Sequence, residues 1–276
     1  MSPDTGKFEH RVALVLGAVR GIGRGIGLAL AEKGIRVALN YFDWEEHVQE
    51  LEQAFSAYPD HYVLFRTDLR DPHQAQILVQ ATVLRYGRLD ILINNIERGG
   101  WPVVHGPYVP EQWDLEMATT LRAKWWVCQA AMPHLKRSGN GVVINFSSIA
   151  GVVGRSGPAS LVFNDGYAAA NRAVSSFTET WARTGAPEVR VNEIMLGFFE
   201  SRHGEGTRGW GLLTGDQKQA ILDHTLLGRT GRIADAVRAA MFLIEEAPFM
   251  TGSVIRLDGG YVLGAQKVLP MPEGVL

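Results

Sequence analysis

Residues 12–33 read VALVLGAVRGIGRGIGLALAEK, and this stretch decides the fold. Val12 to Leu16 is an apolar, β-branched run of the kind that forms a strand buried on both faces. Gly17, Gly21 and Gly23 break it before apolar residues resume at the helical spacing of Ile26, Leu30 and Ala31. A strand therefore enters a helix through a tight turn. Glycines suit such a turn because they accept positive φ and let the backbone lie close to a bound phosphate, whose charge the first helical N–H groups favour. The turn implies a dinucleotide, with Gly17, Gly21, Ile22 and Gly23 at its phosphates.

Outward from this stretch, strand and helix patterns alternate. Strands are expected at Ile35 to Asn40, Tyr62 to Phe65, Leu89 to Ile93, Val142 to Phe146, Val189 to Met195 and Ser253 to Leu257. Helices are expected at Glu45 to Ala57, from Asp71 and Pro72 to about Tyr86, and as one long element from Glu111 to Lys136. Gly166 to Thr184, capped by Asn164 or Asp165, a segment from Asp216, and Ala234 to Glu245 complete the helices. Phe198 to Leu213 reads as irregular and glycine-rich. This alternation predicts an α/β, Rossmann-like, doubly wound parallel sheet with right-handed crossovers in a single domain, residues 1–276, of which 1–10 form a leader. Ligands of such sheets sit beyond the carboxyl ends of the strands, so the loops after each strand should face one crevice.

Composition narrows the partners. At 46% hydrophobic residues the 276-residue chain can bury a large core, and a net charge of −2 supplies no field for nucleic acid. No apolar run approaches the roughly 20 residues of a membrane span and the first residues lack a signal core, which points to the cytoplasm. Cys128 is the sole cysteine, so no internal disulfide forms and a Cys-based metal site is not expected; no metal ligand is assigned, and the lack of a basic field fits a small-molecule substrate best.

Several motifs then fall in one order: GAVRGIG at 17–23, Asp68, LINN at 92–95, NFSSIAG at 145–151, Tyr167 opening a helix, RVNEIMLG at 190–197 and TGSVIRLDGG at 251–260. Together they resemble the short-chain dehydrogenase/reductase family over nearly the whole chain. The resemblance implies a seven-stranded sheet, a nicotinamide dinucleotide, and a Ser and a Tyr that polarise a carbonyl or alcohol during hydride transfer. By position these are Ser148, which precedes IAG, and Tyr167. It further implies that Asp68 and Leu69 border the adenine, that Asn94 and Asn95 lie along the adenosine side, and that Gly197 borders the nicotinamide. The resemblance also implies a homodimer or homotetramer built on the long helices 111–136 and 166–184, with the tail 261–276 packing on a neighbour.

The family pattern is broken at several places. Asn171 stands one helical turn after Tyr167, where relatives carry a Lys that holds the ribose and assists the phenol. An amide hydrogen-bonds a ribose but carries no charge, and an unperturbed phenol, pKa about 10, is ionised to roughly one part in a thousand at neutral pH. Thr120 replaces the usual helix-kinking Asn, Ile96 and Glu97 replace a small pair where a dinucleotide would be crowded or repelled, and Leu196 replaces Pro. The loop from Ser148 to Tyr167, with Gly154, Gly157 and Pro158, is longer than usual. Lys124, one turn beyond Thr120, is a candidate for the missing cation, set against a lysine whose stem lines the helix interface and whose head reaches solvent. His105 and His203 are further candidates.

An acid at the end of the second strand would select NAD, yet Asn40 stands there, followed by Tyr41 and Phe42. Arg20 matches the basic residue that in many relatives pairs with a 2′-phosphate, so NADP is expected, with Asp43 as an argument for NAD. Phe198 to Leu227, hinged at Gly204, Gly206, Gly209, Gly211 and Gly215, should cover the substrate, with Trp101, Val153, Phe198, Phe199 and Trp210 as apolar walls. Two functions follow: an NADP-dependent reductase of a carbonyl or enone, or a family member without redox turnover that catalyses cyclisation, dehydration or isomerisation, or serves as a binding partner.

Overall fold

The computed structural model describes residues 10–97, 109–203, 208–265 and 268–274. The decisive stretch forms β1 (Val12–Val15) and α1 (Gly21–Glu32), followed by β2 (Arg36–Tyr41), α2 (Val48–Ala54), β3 (Tyr62–Arg66), α3 (Pro72–Tyr86) and β4 (Ile91–Asn94). Next come α4 (Pro110–Glu116), a π-helical turn (Met117–Arg122), α5 (Ala123–Ser138), β5 (Gly141–Ser148) and α6 (Ala150–Val153). The chain continues through α7 (Asp165–Gly185), β6 (Val189–Leu196), α8 (Glu200–His203), α9 (Arg208–Gly211), α10 (Gly215–His224), α11 (Ile233–Glu245) and β7 (Val254–Leu257).

The seven strands form one parallel sheet in the order β3-β2-β1-β4-β5-β6-β7. The order reverses between β1 and β4, which opens a crevice at the sheet's carboxyl edge above those two strands. Helices cover both faces because β1, β4 and β5 are buried throughout and have no polar face to give to water. On one face Ile22, Ile26 and Leu30 of α1 pack with Ala236, Ala240 and Leu243 of α11 against Ala13, Val15 and Ile93. On the other, Leu78 and Val79 of α3 and Val127 and Ala131 of α5 pack against Leu14, Leu92 and Val143. A third cluster, with Ile149, Phe163, Tyr167, Phe198, Trp210 and Tyr261, meets the crevice only through Val162 and Tyr167.

Local chemistry sets several element ends. The Asp71 carboxylate accepts from the His73 amide at 2.8 Å, Pro72 opens α3, and Gly87 closes it in the left-handed region. Asn164, rather than Asp165, caps α7, its side-chain oxygen accepting from the Tyr167 amide at 2.7 Å.

Two expectations are corrected. The single helix 111–136 is three elements, α4, the π-turn and α5, because a turn that admits one extra residue leaves the spacing of apolar residues on either side intact. The segment 198–213 is also more regular than its glycines suggest. Its described parts include the one-turn helices α8 and α9, held by burial of Phe198, Phe199, Trp210 and Leu213. Among the described residues no helix is long and apolar enough to cross a membrane, and no cluster of His, Cys, Asp and Glu could hold a metal ion. Cys128 is buried, and burial pushes its thiol well above the ordinary value.

Candidate active site

A cleft of about 470 Å³ runs along the carboxyl edge of the sheet from the glycine turn to Tyr167. Its volume lies in the range of small-molecule and cofactor sites. Gly17, Arg20, Gly21 and Ile22 line one side; Asn40, Tyr41, Asp68 and Leu69 line the outer end; Asn95, Glu97, Ser148, Tyr167 and Gly197 line the inner end. Ten of the expected cofactor residues and both expected reactive side chains are thus brought together. Other candidates do not border this space: Gly23, Asn94, Thr120, Lys124 and Asn171, and, of the expected apolar walls, Val153, Phe198 and Trp210.

The reasons are visible in their contacts. Gly23 is inside α1, where a Cβ would come within 2.3 Å of the Gly17 carbonyl oxygen; at Gly17, which has φ +63°, a Cβ would lie 2.4 Å from the Asn95 carbonyl oxygen. The packing of the turn on β4 therefore demands these two glycines whatever ligand is bound. Asn95 seals the junction, its amide donating to the Gly17 carbonyl at 3.2 Å. Asn94 faces away from the cleft: its amide donates to Asn145 Oδ1 at 2.8 Å, and the Asn145 amide donates to Thr178 Oγ1, also at 2.8 Å. This chain of bonds ties β4 to β5 and α7, and sequence reasoning gave Asn145 no role.

Thr120 sits in the π-turn with its hydroxyl 3.3 Å from Glu116 Oε2, a carboxylate that is itself buried. The widened turn is present although the side chain expected to kink it is not an Asn. Asn171 is buried and its amide donates to the Tyr167 main-chain carbonyl at 3.0 Å, while its Oδ1 is buried without a hydrogen-bond partner. Lys124 departs from the reading in which its head reaches solvent. Its side chain is 1% exposed, and its ammonium donates to the Phe146 carbonyl at 2.7 Å from behind the cleft wall. Trp101 and His105, together with Gly204 and Gly206, lie outside the described residues, as does the side chain of His203.

At the inner end, the Tyr167 hydroxyl donates to Glu97 Oε2 at 2.9 Å. The phenol is held by α7, which presents it 5% exposed beside Phe163, and the carboxylate by the loop after β4. Ile96 lines the cleft and is partly buried against the core cluster that α3 and α5 share with the sheet, and the cleft remains open past it. Ser148 ends β5, and its Oγ accepts from the Ala150 amide at 3.2 Å, which leaves its proton free to point elsewhere.

At the outer end the charges are organised. Asp68 is gripped by Arg70 through contacts of 2.6 to 3.0 Å, and the guanidinium holds its carboxyl below the usual range. Arg20 donates to the Ser201 carbonyl at 3.2 Å and lies 4.5 Å over the Trp44 ring. Trp44 reaches that position from a left-handed backbone, φ +66°. Asn40 is buried and spends its amide on the Tyr41 and Thr67 carbonyls, so no acid stands at the end of β2.

These residues suit a nicotinamide dinucleotide. No side chain caps the first turn of α1 and no acid lies in it, so its N–H groups and the dipole are left to an anion at the cleft wall.

Comparisons with known proteins agree. The family model described as enoyl-(acyl carrier protein) reductase matches residues 17–262. A granaticin polyketide synthase protein of Streptomyces violaceoruber, described provisionally as ketoacyl reductase 2, is 36% identical over 91% of this chain and 96% of its own length. The chain belongs to the short-chain dehydrogenase/reductase family. Within that family, the 3-oxoacyl-(acyl-carrier-protein) reductase of Thermotoga maritima is 32% identical over 93% of this chain and all of its own. A crystal structure from Sinorhizobium meliloti 1021, described provisionally as a short-chain alcohol dehydrogenase, superposes with TM-score 0.81 at 28% identity. It covers 93% of this chain and 98% of that one. The seven-stranded sheet is thus the architecture of this short-chain dehydrogenase/reductase, and its fold and relatives are those of a family-type oxidoreductase.

Proposed function

We propose that the protein is an NADP-dependent reductase of a carbonyl or enone in a small, fairly apolar substrate. The observation that carries this reading is the convergence of Tyr167 and Ser148 on the cleft that also contains the glycine turn. Ser148 donates a hydrogen bond to the substrate oxygen, and Tyr167 delivers the proton that the reduced oxygen needs. The dinucleotide, when bound, supplies the hydride. Gly17, Arg20, Gly21 and Ile22 hold its phosphate side, with Tyr41, Asp68 and Leu69 around the adenosine and Gly197 near the nicotinamide.

NADP is favoured over NAD by the guanidinium of Arg20 beside the cleft and by the amide, not acid, at Asn40. Val162, Phe199 and Leu196 give the inner end an apolar wall, which suits an acyl or alicyclic ketone better than a charged sugar. A cytoplasmic homodimer or homotetramer acting on a diffusible substrate belongs to the same proposal.

A second reading keeps the pocket without the redox step: isomerisation, dehydration or cyclisation by proton transfer. The neutral Asn171, bonded back to its own helix, favours it. Quenching of tryptophan fluorescence by NADPH and NADH separates the two. Tight NADPH binding with turnover of 3-oxoacyl thioesters or cyclic ketones supports the reductase; binding of neither coenzyme removes it.

A further inference from the structure

The hydrogen bond between Tyr167 and Glu97 spans 70 positions of chain and joins two residues that both line the cleft. A carboxylate in this place would be a liability if its role were to pack beside a dinucleotide that is itself anionic. It makes chemical sense as a partner of the phenol. An unperturbed phenol is ionised to roughly one part in a thousand at pH 7, and a phenolate next to a carboxylate is opposed further by like-charge repulsion. A reaction that waits for a standing phenolate is therefore poorly served here. The side chain one turn along α7, Asn171, offers no cation, and the ammonium of Lys124 is bonded to the Phe146 carbonyl.

We propose that Glu97 and Tyr167 form a proton-transfer pair, with Glu97 a catalytic residue that exchanges a proton with the phenol in the same step in which the phenol exchanges one with substrate. The assignment rests on the oxidoreductase reading above. In the reducing direction a bound nicotinamide dinucleotide would supply the hydride to the carbonyl carbon. The Tyr167 O–H bond breaks as the substrate O–H forms, and the Tyr167 oxygen takes a proton that Glu97 passes on from solvent, so that one solvent proton is consumed and the carboxylate is regenerated. In the oxidising direction every proton retraces its path, starting from the observed arrangement in which the phenol donates to the Glu97 carboxylate. No charge builds up on the phenol in either direction, so a lysine is dispensable.

The test uses Glu97→Gln, Glu97→Ala and Tyr167→Phe in the full-length chain with NADPH and a 3-oxoacyl thioester or cyclic ketone. Glu97→Gln should lower kcat by about 10² to 10⁴-fold with little change in KM, while NADPH still quenches tryptophan fluorescence. Formate should restore part of the activity of Glu97→Ala by entering the vacated carboxylate position. Without coenzyme, the infrared band of one carboxylate should shift in Tyr167→Phe, reporting the lost hydrogen bond. Coenzyme binding with kcat of Glu97→Gln within about threefold of the native value overturns the relay and leaves the reductase standing. An absent formate effect in a folded, NADPH-binding Glu97→Ala also overturns it. A native protein that binds neither coenzyme sinks the oxidoreductase reading and the relay with it.

Discussion

Asn171 donates its side-chain amide to the main-chain carbonyl of Tyr167, 3.0 Å away and one turn earlier in α7. That carbonyl already belongs to the helical ladder, so the bond adds little, and the other atom of the amide is a buried acceptor with no partner. Replacing Asn171 by Leu removes a weak bond together with an unsatisfied oxygen. Urea unfolding of Asn171→Leu should give a stability within about 1 kcal/mol of the native protein, where an ordinary buried, fully bonded Asn would cost more.

The glycine turn predicts a contrast between close positions. Gly23→Ala forces a methyl against the Gly17 carbonyl and the Asn95 amide, all part of a junction that cannot yield cheaply. It should destabilise the protein by about 1 to 3 kcal/mol in thermal or urea melts, with coenzyme absent. At Gly21 a methyl meets Ser201 Cβ at 3.3 Å, so packing alone is disturbed less, although its φ of +58° still strains an alanine. The larger structural loss should be at Gly23 even though it does not border the cleft.

Glu193 gives stability a pH dependence. Its carboxyl is raised above the ordinary value chiefly by burial, against hydrogen bonds from Ser147 and Ser175 and the charge of Lys124. The folded state therefore keeps this proton more tightly than the unfolded chain, which releases it near 4.5. The stabilisation is complete below that pH and is lost as pH rises through the folded value. The urea midpoint of the native protein should carry this loss above about pH 4.5, and Glu193→Gln, neutral at every pH, should lack it. Glu193→Ala should instead cost about 2 to 4 kcal/mol, since it leaves a cavity and two serines without their acceptor.

Arg20 is the residue on which coenzyme choice should turn. Its guanidinium is pinned over Trp44 and to the Ser201 carbonyl, pre-positioned beside the cleft. Arg20→Ala should weaken NADPH binding by on the order of ten-fold while changing NADH binding little, as read by fluorescence titration. Equal loss for both coenzymes would mean that Arg20 merely shapes the turn.

The strands were legible because each is a short β-branched or aliphatic run, and a parallel sheet buried on both faces needs nothing subtler than that. Asp71 with Pro72 was legible because a cap is a local contact between residues two apart. The features that escaped share the opposite property. Lys124 was read either as the missing cation or as a solvent-reaching lysine; its burial escaped because its partners include a backbone carbonyl, which leaves no trace in residue identity. Asn145 was passed over because its role depends on Asn94 and Thr178, which fold onto it from other elements. Glu97 was read for its bulk and charge against a ligand, and its bond to Tyr167 exists only once α7 is laid across the carboxyl edge of the sheet. The motif around Ser148 and Tyr167 placed both in the cleft, whereas the i to i+4 argument for Asn171 found the correct helix but not the cleft.

The π-turn at Met117–Arg122 has a further consequence. In an ordinary α-helix each residue advances the direction of its side chain by about 100°. Were all of its residues rewound into regular α-helix, Lys124, Val127 and Cys128 would swing away from the sheet by roughly that angle, whereas deleting one residue would let the turn tighten with their directions kept. The wide turn thus acts as a phase adjuster, and the chain should tolerate a one-residue deletion there far better than the same deletion within α5.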